Sequence, residues 1–214
     1  MGVIKQGILG GFSGKVANVV GTSWKGIAVM KALPLSVANP RTAAQVAQRT
    51  KMSACVAMLQ PILSQVIKPL NDRFAGKMSG FNYALQASIS AFSNDGDLND
   101  PEKFKISRAA NKAQLIDAIA AEAKITKLKA TWTSDAGKGY ALATDKCYLV
   151  GYCVDNGTFA VSTSAIRSAG QAYLEFPDGA FEAGAMIEVY MAFLRADGTV
   201  GFAQDYKRYV AVAP

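Results

Sequence analysis

The chain has 214 residues and not one histidine. That absence removes the usual general base near neutral pH, Ser-His-Asp and Cys-His catalytic pairs, and His-ligated zinc or haem. Cysteine is scarce: Cys55, Cys147 and Cys153 are too few and too odd in number for a disulfide framework. Cys147 and Cys153 fall in one strand-like run, KCYLVGYCV, whose extended length of roughly 20 Å keeps them from pairing. Cys55 reads as a small core hydrophobe on a helix. Long apolar runs are missing too. Lys5, Lys15, Lys25 and Lys31 interrupt the most hydrophobic stretch well short of the roughly 18 residues a membrane span requires. The start lacks the charged, apolar and cleavage regions of a secretory signal, and Gln6 replaces the Ser or Thr of a myristoylation site.

What is present is apolar and unevenly charged. Half the residues are hydrophobic and 18% are charged, enough for a sizeable core. The net charge of +7 divides sharply. Residues 1–92 carry ten Lys and Arg against one acid, Asp72, whereas residues 93–214 carry thirteen against fifteen acids. A basic half beside a near-neutral one predicts an element with its own partner.

Residues 1–38 form a glycine-rich basic arm. Seven of the first twenty-six residues are glycine, and between them stand Ile4, Phe12, Val16, Val19, Trp24, Ile27 and Met30. That much apolar side chain excludes a flexible linker, and so many glycines disfavour a helix. The arm must bury itself on its own chain or on a neighbour.

Asn39-Pro40 supplies an N-cap residue followed by proline, predicting a helical region over 39–92. Its first apolar face runs Ala43, Ala44, Val46, Ala47, Met52, Cys55, Val56 and Leu59. Pro61 kinks or restarts that helix. A further helix follows Gly76–Gly80 through Tyr83, Leu85, Ile89 and Phe92. The polar run SNDGDLNDPEK opens an acidic linker over 93–124, within which the alanine-rich segment 109–124 reads as helix. From 125 to 214 the period is two. Short runs are separated by Asp135-Ala-Gly137, Asn156-Gly157, Asp178-Gly179 and Asp197-Gly198. This predicts an immunoglobulin-like antiparallel β-sandwich, with Trp132 plugging its core. The fold class is therefore α+β.

Candidate chemical motifs fail on inspection. A phosphate loop ending at Lys15 needs Gly at position 9 and Ser or Thr at 16, which are Leu9 and Val16. The run from Asp95 to Asp100 spaces oxygen ligands like half a calcium loop, but its sixth position is Asp100 and its twelfth is Ile106. No catalytic residue, metal site or cofactor is expected. Tyr148, Tyr152, Tyr173, Tyr190, Tyr206 and Tyr209 permit ligand contact, but alternating aromatics more often face a core. Phe12, Lys15, Trp24, Lys25, Arg41 and Arg49 are the candidate interface residues, offering apolar anchors and cations at one end of the chain.

GILGGFSGKVANVVGTSWKG, followed by NPRTAAQVAQR and the later RSAGQAYLEFP and EVYMAFLRADG, resembles an uncharacterised domain-of-unknown-function family of about this length. That family occurs in Bacteroidetes and in phages that infect them. The resemblance spans nearly the whole chain and implies a phage or bacterial origin, no enzymatic activity, no assigned site residues, and strands over 109–124 where the composition reads as helix. The expected function is structural and non-enzymatic: a capsid-associated, head-fibre or tail accessory component of a phage virion. It packs through arm and helices against itself or other virion proteins and displays the sandwich. The expected location is the virion or the bacterial cytoplasm. A surface glycan- or protein-binding module is the alternative, as is a DNA-associated protein using the basic half, whose affinity falls steeply with salt.

Overall fold

The computed structural model describes residues 2–4, 10–24, 26–36, 39–121 and 126–212. The chain divides into two compact units, residues 1–42 and 43–214.

In the first unit, β1 (Val3–Ile4), β2 (Phe12–Val16), β3 (Val19–Trp24) and β4 (Ile27–Ala32) form an antiparallel sheet in the order β1-β2-β3-β4. The expected arm is thus a meander, each strand hydrogen-bonded to the next in sequence. Val16 pairs with Val19 across a two-residue turn in which Ala17 takes φ +48°. Tight hairpin turns require such left-handed backbone, although glycine or asparagine accepts it more readily than alanine. Gly21 explains why glycine recurs in an apolar strand. The Phe12 ring lies against it, and a Cβ at position 21 would collide with that ring.

The second unit begins with α1 (Ala43–Leu59). The helix starts at Ala43 rather than at the Asn39-Pro40 signal, so Thr42 takes the flanking position, a residue type suited to it. Only the C-terminal half of the predicted apolar face is covered. Cys55, Met58 and Leu59 are buried, whereas Val46 and Met52 are exposed. The helix ends two residues before Pro61, as the missing N–H of proline dictates. A π-helical turn, Leu63–Ile67, leads into α2 (Lys68–Asn71), then α3 (Gly80–Ser88), whose N-cap Ser79 hydroxyl accepts from Asn82 N at 3.3 Å.

Residues 93–124 are not a free linker. Phe104 and Ile106 are fully buried, and the Gln204 side chain holds the backbone of both: Oε1 accepts from Ile106 N and Nε2 donates to Phe104 O. The predicted helix over 109–124 is also corrected. Its described part holds no helix, makes an isolated bridge at Asn111 and ends in β5 (Ala118–Ala121), paired antiparallel with β6 (Lys127–Thr131). Tertiary pairing overrides alanine's helix propensity here. Residues 122–125 lie outside the described residues.

β7 (Lys146–Cys153), β8 (Phe159–Ser162), β9 (Gln171–Glu175), β10 (Met186–Leu194) and β11 (Asp205–Val210) complete the unit. One sheet has the order β11-β10-β7-β8 and the other β5-β6-β9, every neighbouring pair being antiparallel. The two sheets share a core. Leu128, Ala130, Ala172 and Leu174 from one meet Cys147, Leu149, Val189 and Met191 from the other. The architecture is a β-sandwich. At its centre, Gly151 leaves room for Leu174 and Phe176 of the facing layer, either of which a Cβ would crowd below 3.0 Å.

The two central strands are buried on both faces. In β7 and β10, Leu149, Cys153, Ile187 and Val189 face the sandwich core, while Tyr148, Val150, Tyr190, Ala192 and Leu194 face a second core with Leu59, Val66, Ile67 and Leu70 of the helical region. The helices therefore form a third layer, and one cooperative body holds both predicted regions. Two-sided burial is why MIEVYMAFL reads as a nearly continuous apolar run rather than a clean alternation.

Candidate functional site

The predicted interface residues fall on several elements of the two units. Phe12 and Lys15 both lie on β2, but three residues apart in a strand they occupy opposite faces. Phe12 is half-buried against Gly21 and Lys15 is exposed. Trp24 is the last residue of β3, opposite Ile27, and Lys25 lies outside the described residues. Arg41 is exposed ahead of α1. Arg49 is exposed on α1 and belongs to the second unit. The shared feature of the first unit is instead apolar exposure. Val3, Ile4, Val16, Ile27 and Met30 are all exposed, Met30 by 71%. Gly21 is the single buried residue of the unit among those described. β4, the sheet's outer strand, carries IAVMKA and is exposed along its whole length.

The second unit contains two charge networks that the sequence reading missed. Arg167 is completely buried between the rings of Phe193 and Phe202, with its guanidinium carbon 4.3 and 4.2 Å from their centroids. Its Nε donates to Asp145 Oδ2 at 3.1 Å and its Nη1 to Asp135 Oδ1 at 2.5 Å. The Trp132 indole N–H donates to the Arg167 carbonyl at 2.8 Å, so the tryptophan does plug the core, as expected. Cation–π stacking and paired carboxylates are what allow a guanidinium to lie away from water.

The second network is on the helix-facing side of the larger sheet. Glu188 is fully buried in β10. Its Oε1 accepts from Arg208 Nε at 2.9 Å and Nη2 at 2.7 Å, and its Oε2 accepts from Tyr206 Oη at 2.6 Å. Beside it the Tyr190 hydroxyl donates to Pro101 O at 3.0 Å. Burial pushes the Tyr190 phenol well above its usual range, and the Glu188 charge adds to this. Burial likewise raises Tyr206, helped by its bond to Glu188. A glutamate in the middle of an apolar strand was the available sequence signal, since a buried carboxylate must be paired.

Two cavities flank this network. One of about 490 Å³ is lined by Asp100–Lys103 and Tyr206–Arg208, and another of about 550 Å³ lies among α1, Phe92, Gly96–Leu98 and the β7–β8 hairpin. Tyr148 and Tyr190 are core, while Tyr152, Tyr206 and Tyr209 are half-buried and Tyr173 is exposed. All three cysteines are free and buried, and burial pushes Cys55 and Cys147 up to about 12, away from the thiolate form. Among the described residues, no group of three or more Cys, Asp or Glu is placed to hold a metal ion. No helix there is long and apolar enough to cross a membrane.

A small edge-open sheet, joined to a β-sandwich with a helical layer on one of its faces, defines the class: a β-sandwich protein with an N-terminal meander. The chain belongs to the family described as "Family of unknown function (DUF6266)", whose model matches residues 11–206. None of the curated proteins matches the chain. Among solved structures, the chain is similar to a fibronectin type III domain of human collagen XX. The identity is 12% over 48% of this chain and 98% of that one, with a TM-score of 0.33.

Proposed function

We propose that the protein is a structural, non-enzymatic assembly component that packs through its N-terminal sheet and displays an immunoglobulin-like sandwich. The carrying observation is β4, a six-residue outer strand with Ile27, Val29 and Met30 exposed and one lysine for protection. Among the described residues no strand pairs with the outer edge of β4; an unpaired, apolar strand edge is a template for another chain, and soluble proteins ordinarily blunt such edges with charge, proline or a cover. The sheet's faces add to the drive, with Val16 and Val19 also exposed. Covering even about 400 Å² of apolar surface contributes about 10 kcal/mol before association entropy is subtracted.

In this reading a second copy, or a scaffold protein, extends the sheet along β4, and the basic charge of the unit complements an acidic neighbour. The family resemblance favours a phage particle as the setting, in a capsid-associated, head-fibre or tail accessory role. Light scattering behind size exclusion tests the self-association. The full chain is expected to form a defined oligomer that dissociates when Met30 is replaced by Lys, or when the chain begins at Ala43. An oligomer indifferent to both changes contradicts the reading.

A further inference from the structure

We infer that a third cavity, of about 380 Å³ beside the C-terminal end of α3, receives the phosphate group of a small dianionic ligand. Its charged lining is of one sign. Lys103, Lys105 and Arg108 border it, with no carboxylate among the described residues. Lys103 is answered by Asp100 at 2.7 Å, which leaves Lys105 and Arg108 as the two cations without a carboxylate partner among those residues. The backbone that carries them is fixed. Ser88 Oγ accepts from Lys105 N at 3.0 Å, Gln204 Oε1 accepts from Ile106 N, and Ser107 Oγ donates to Phe202 O at 2.9 Å. Ile106 and Ser107 are buried. A site held in this way gives up little conformational freedom on binding.

Arg108 is prepared for an oxyanion. Its Nη1 donates to Tyr83 O at 2.9 Å and to Gln86 Oε1 at 3.1 Å, and its guanidinium carbon lies 4.0 Å from the Tyr83 ring centroid. One nitrogen thus anchors the group on α3, and the ring restrains it by stacking. Nε and Nη2, the neighbouring pair of donors, make no hydrogen bond among the described residues. Such a pair supplies the two parallel N–H bonds that an oxyanion accepts bidentately. Lys105 spends one ammonium proton on Glu102 O at 2.9 Å and keeps two. Ser90 adds an exposed hydroxyl whose own bond, to Ala87 O, is 3.5 Å long. Charge then selects the ligand. A carboxylate or a phosphodiester group carries one negative charge, whereas a phosphate monoester carries close to two at neutral pH and matches two unpaired cations. The volume lies at the low end for ligand pockets, and Ala87, Ala109 and Ala203 supply an apolar wall for carbon atoms attached to the phosphate.

Titration of the isotope-labelled full chain followed by NMR, at a constant ionic strength of about 150 mM set with chloride, tests this. Inorganic phosphate and glycerol 2-phosphate are run separately, to tell a free phosphate from an esterified one, and dimethyl phosphate is the singly charged comparison. At least one of the two dianions is expected to shift the amides of residues 105–108 and the Arg108 Nε–H saturably. Dimethyl phosphate is expected to bind about tenfold more weakly or not at all. Arg108→Lys keeps the charge but loses the paired donors, and is expected to weaken binding by about tenfold. Ser90→Asp places a carboxylate at the cavity from an exposed position and is expected to abolish binding. It remains decisive should Arg108→Lys loosen α3. Three results overturn the proposal: no saturable shift with either dianion, dimethyl phosphate binding as tightly as they do, or binding indifferent to either substitution.

Discussion

The two units use the same secondary structure to opposite effect. The first is a four-stranded sheet whose strands are exposed almost throughout, with Gly21 as its one buried described residue. The second contains a sheet of the same size in which β7 and β10 are covered on both faces. Pairing strands satisfies the backbone in both cases, but only the second sheet also removes its side chains from water. Packing, rather than strand formation, separates a stable body from a surface that seeks a partner. Charge follows the same division. The second unit buries Arg167 and Glu188 against oppositely charged partners, while Lys15, Lys31 and Arg41 of the first stay in solvent.

The comparison breaks most readily at Arg167. Replacing it with Leu leaves Asp145, itself fully buried, without its guanidinium. Stranded buried charge of this kind costs about 3–5 kcal/mol. Urea unfolding followed by circular dichroism is expected to show that loss in the second unit. Amide exchange in residues 12–32 is expected to stay as it was. An unchanged midpoint would mean that the stacked arginine contributes nothing net.

Alkaline pH sharpens the contrast without mutation. Cys55 and Cys147 are raised from about 9 to about 12, and Tyr148, Tyr152, Tyr190 and Tyr206 are raised as well, chiefly by burial. The folded state holds these protons more tightly than the unfolded chain. The resulting stabilisation is complete below the unfolded values near pH 9 and is lost as the pH climbs toward 12. Residues 1–42 contain neither cysteine nor tyrosine. A pH series of thermal melts is therefore expected to show the body weakening over that window, while exchange within the N-terminal sheet keeps its ordinary pH dependence. Equal weakening of both units would remove burial as the cause.

The smallest effect is at Ala17. Its φ of +48° is unfavourable for an L-residue by about 1 kcal/mol, and glycine relieves this at some cost in chain entropy. Ala17→Gly is expected to slow exchange of the β2–β3 hairpin by a few-fold at most. Faster exchange would show that the turn depends on the alanine methyl group.

Local patterns made much of the sandwich legible. Aspartate-glycine and asparagine-glycine turns bounded the strands, and Trp132 declared itself as core. The meander at 1–32 was not legible, because glycines that make room for the Phe12 ring look the same in sequence as glycines that confer freedom. Residues 109–124 were misread because alanine favours a helix locally, while pairing of Ala118–Ala121 with β6 is a tertiary outcome. The Glu188 network was further out of reach. Tyr206 and Arg208 meet Glu188 only once β10 and β11 are in register, and a spacing rule has no access to that. The isolated Glu188 in MIEVYMAFL was the one mark of it in the sequence.

The open edge of β4 is the centre of the account, and amide exchange over Ile27–Ala32 of the full chain addresses it directly. If a partner copy extends the sheet, the outward-facing amides of this strand are expected to gain protection as protein concentration rises, and Met30→Lys is expected to abolish that gain. Exchange that stays fast and independent of concentration, in a chain that nevertheless self-associates, would place the assembly surface elsewhere and contradict the account.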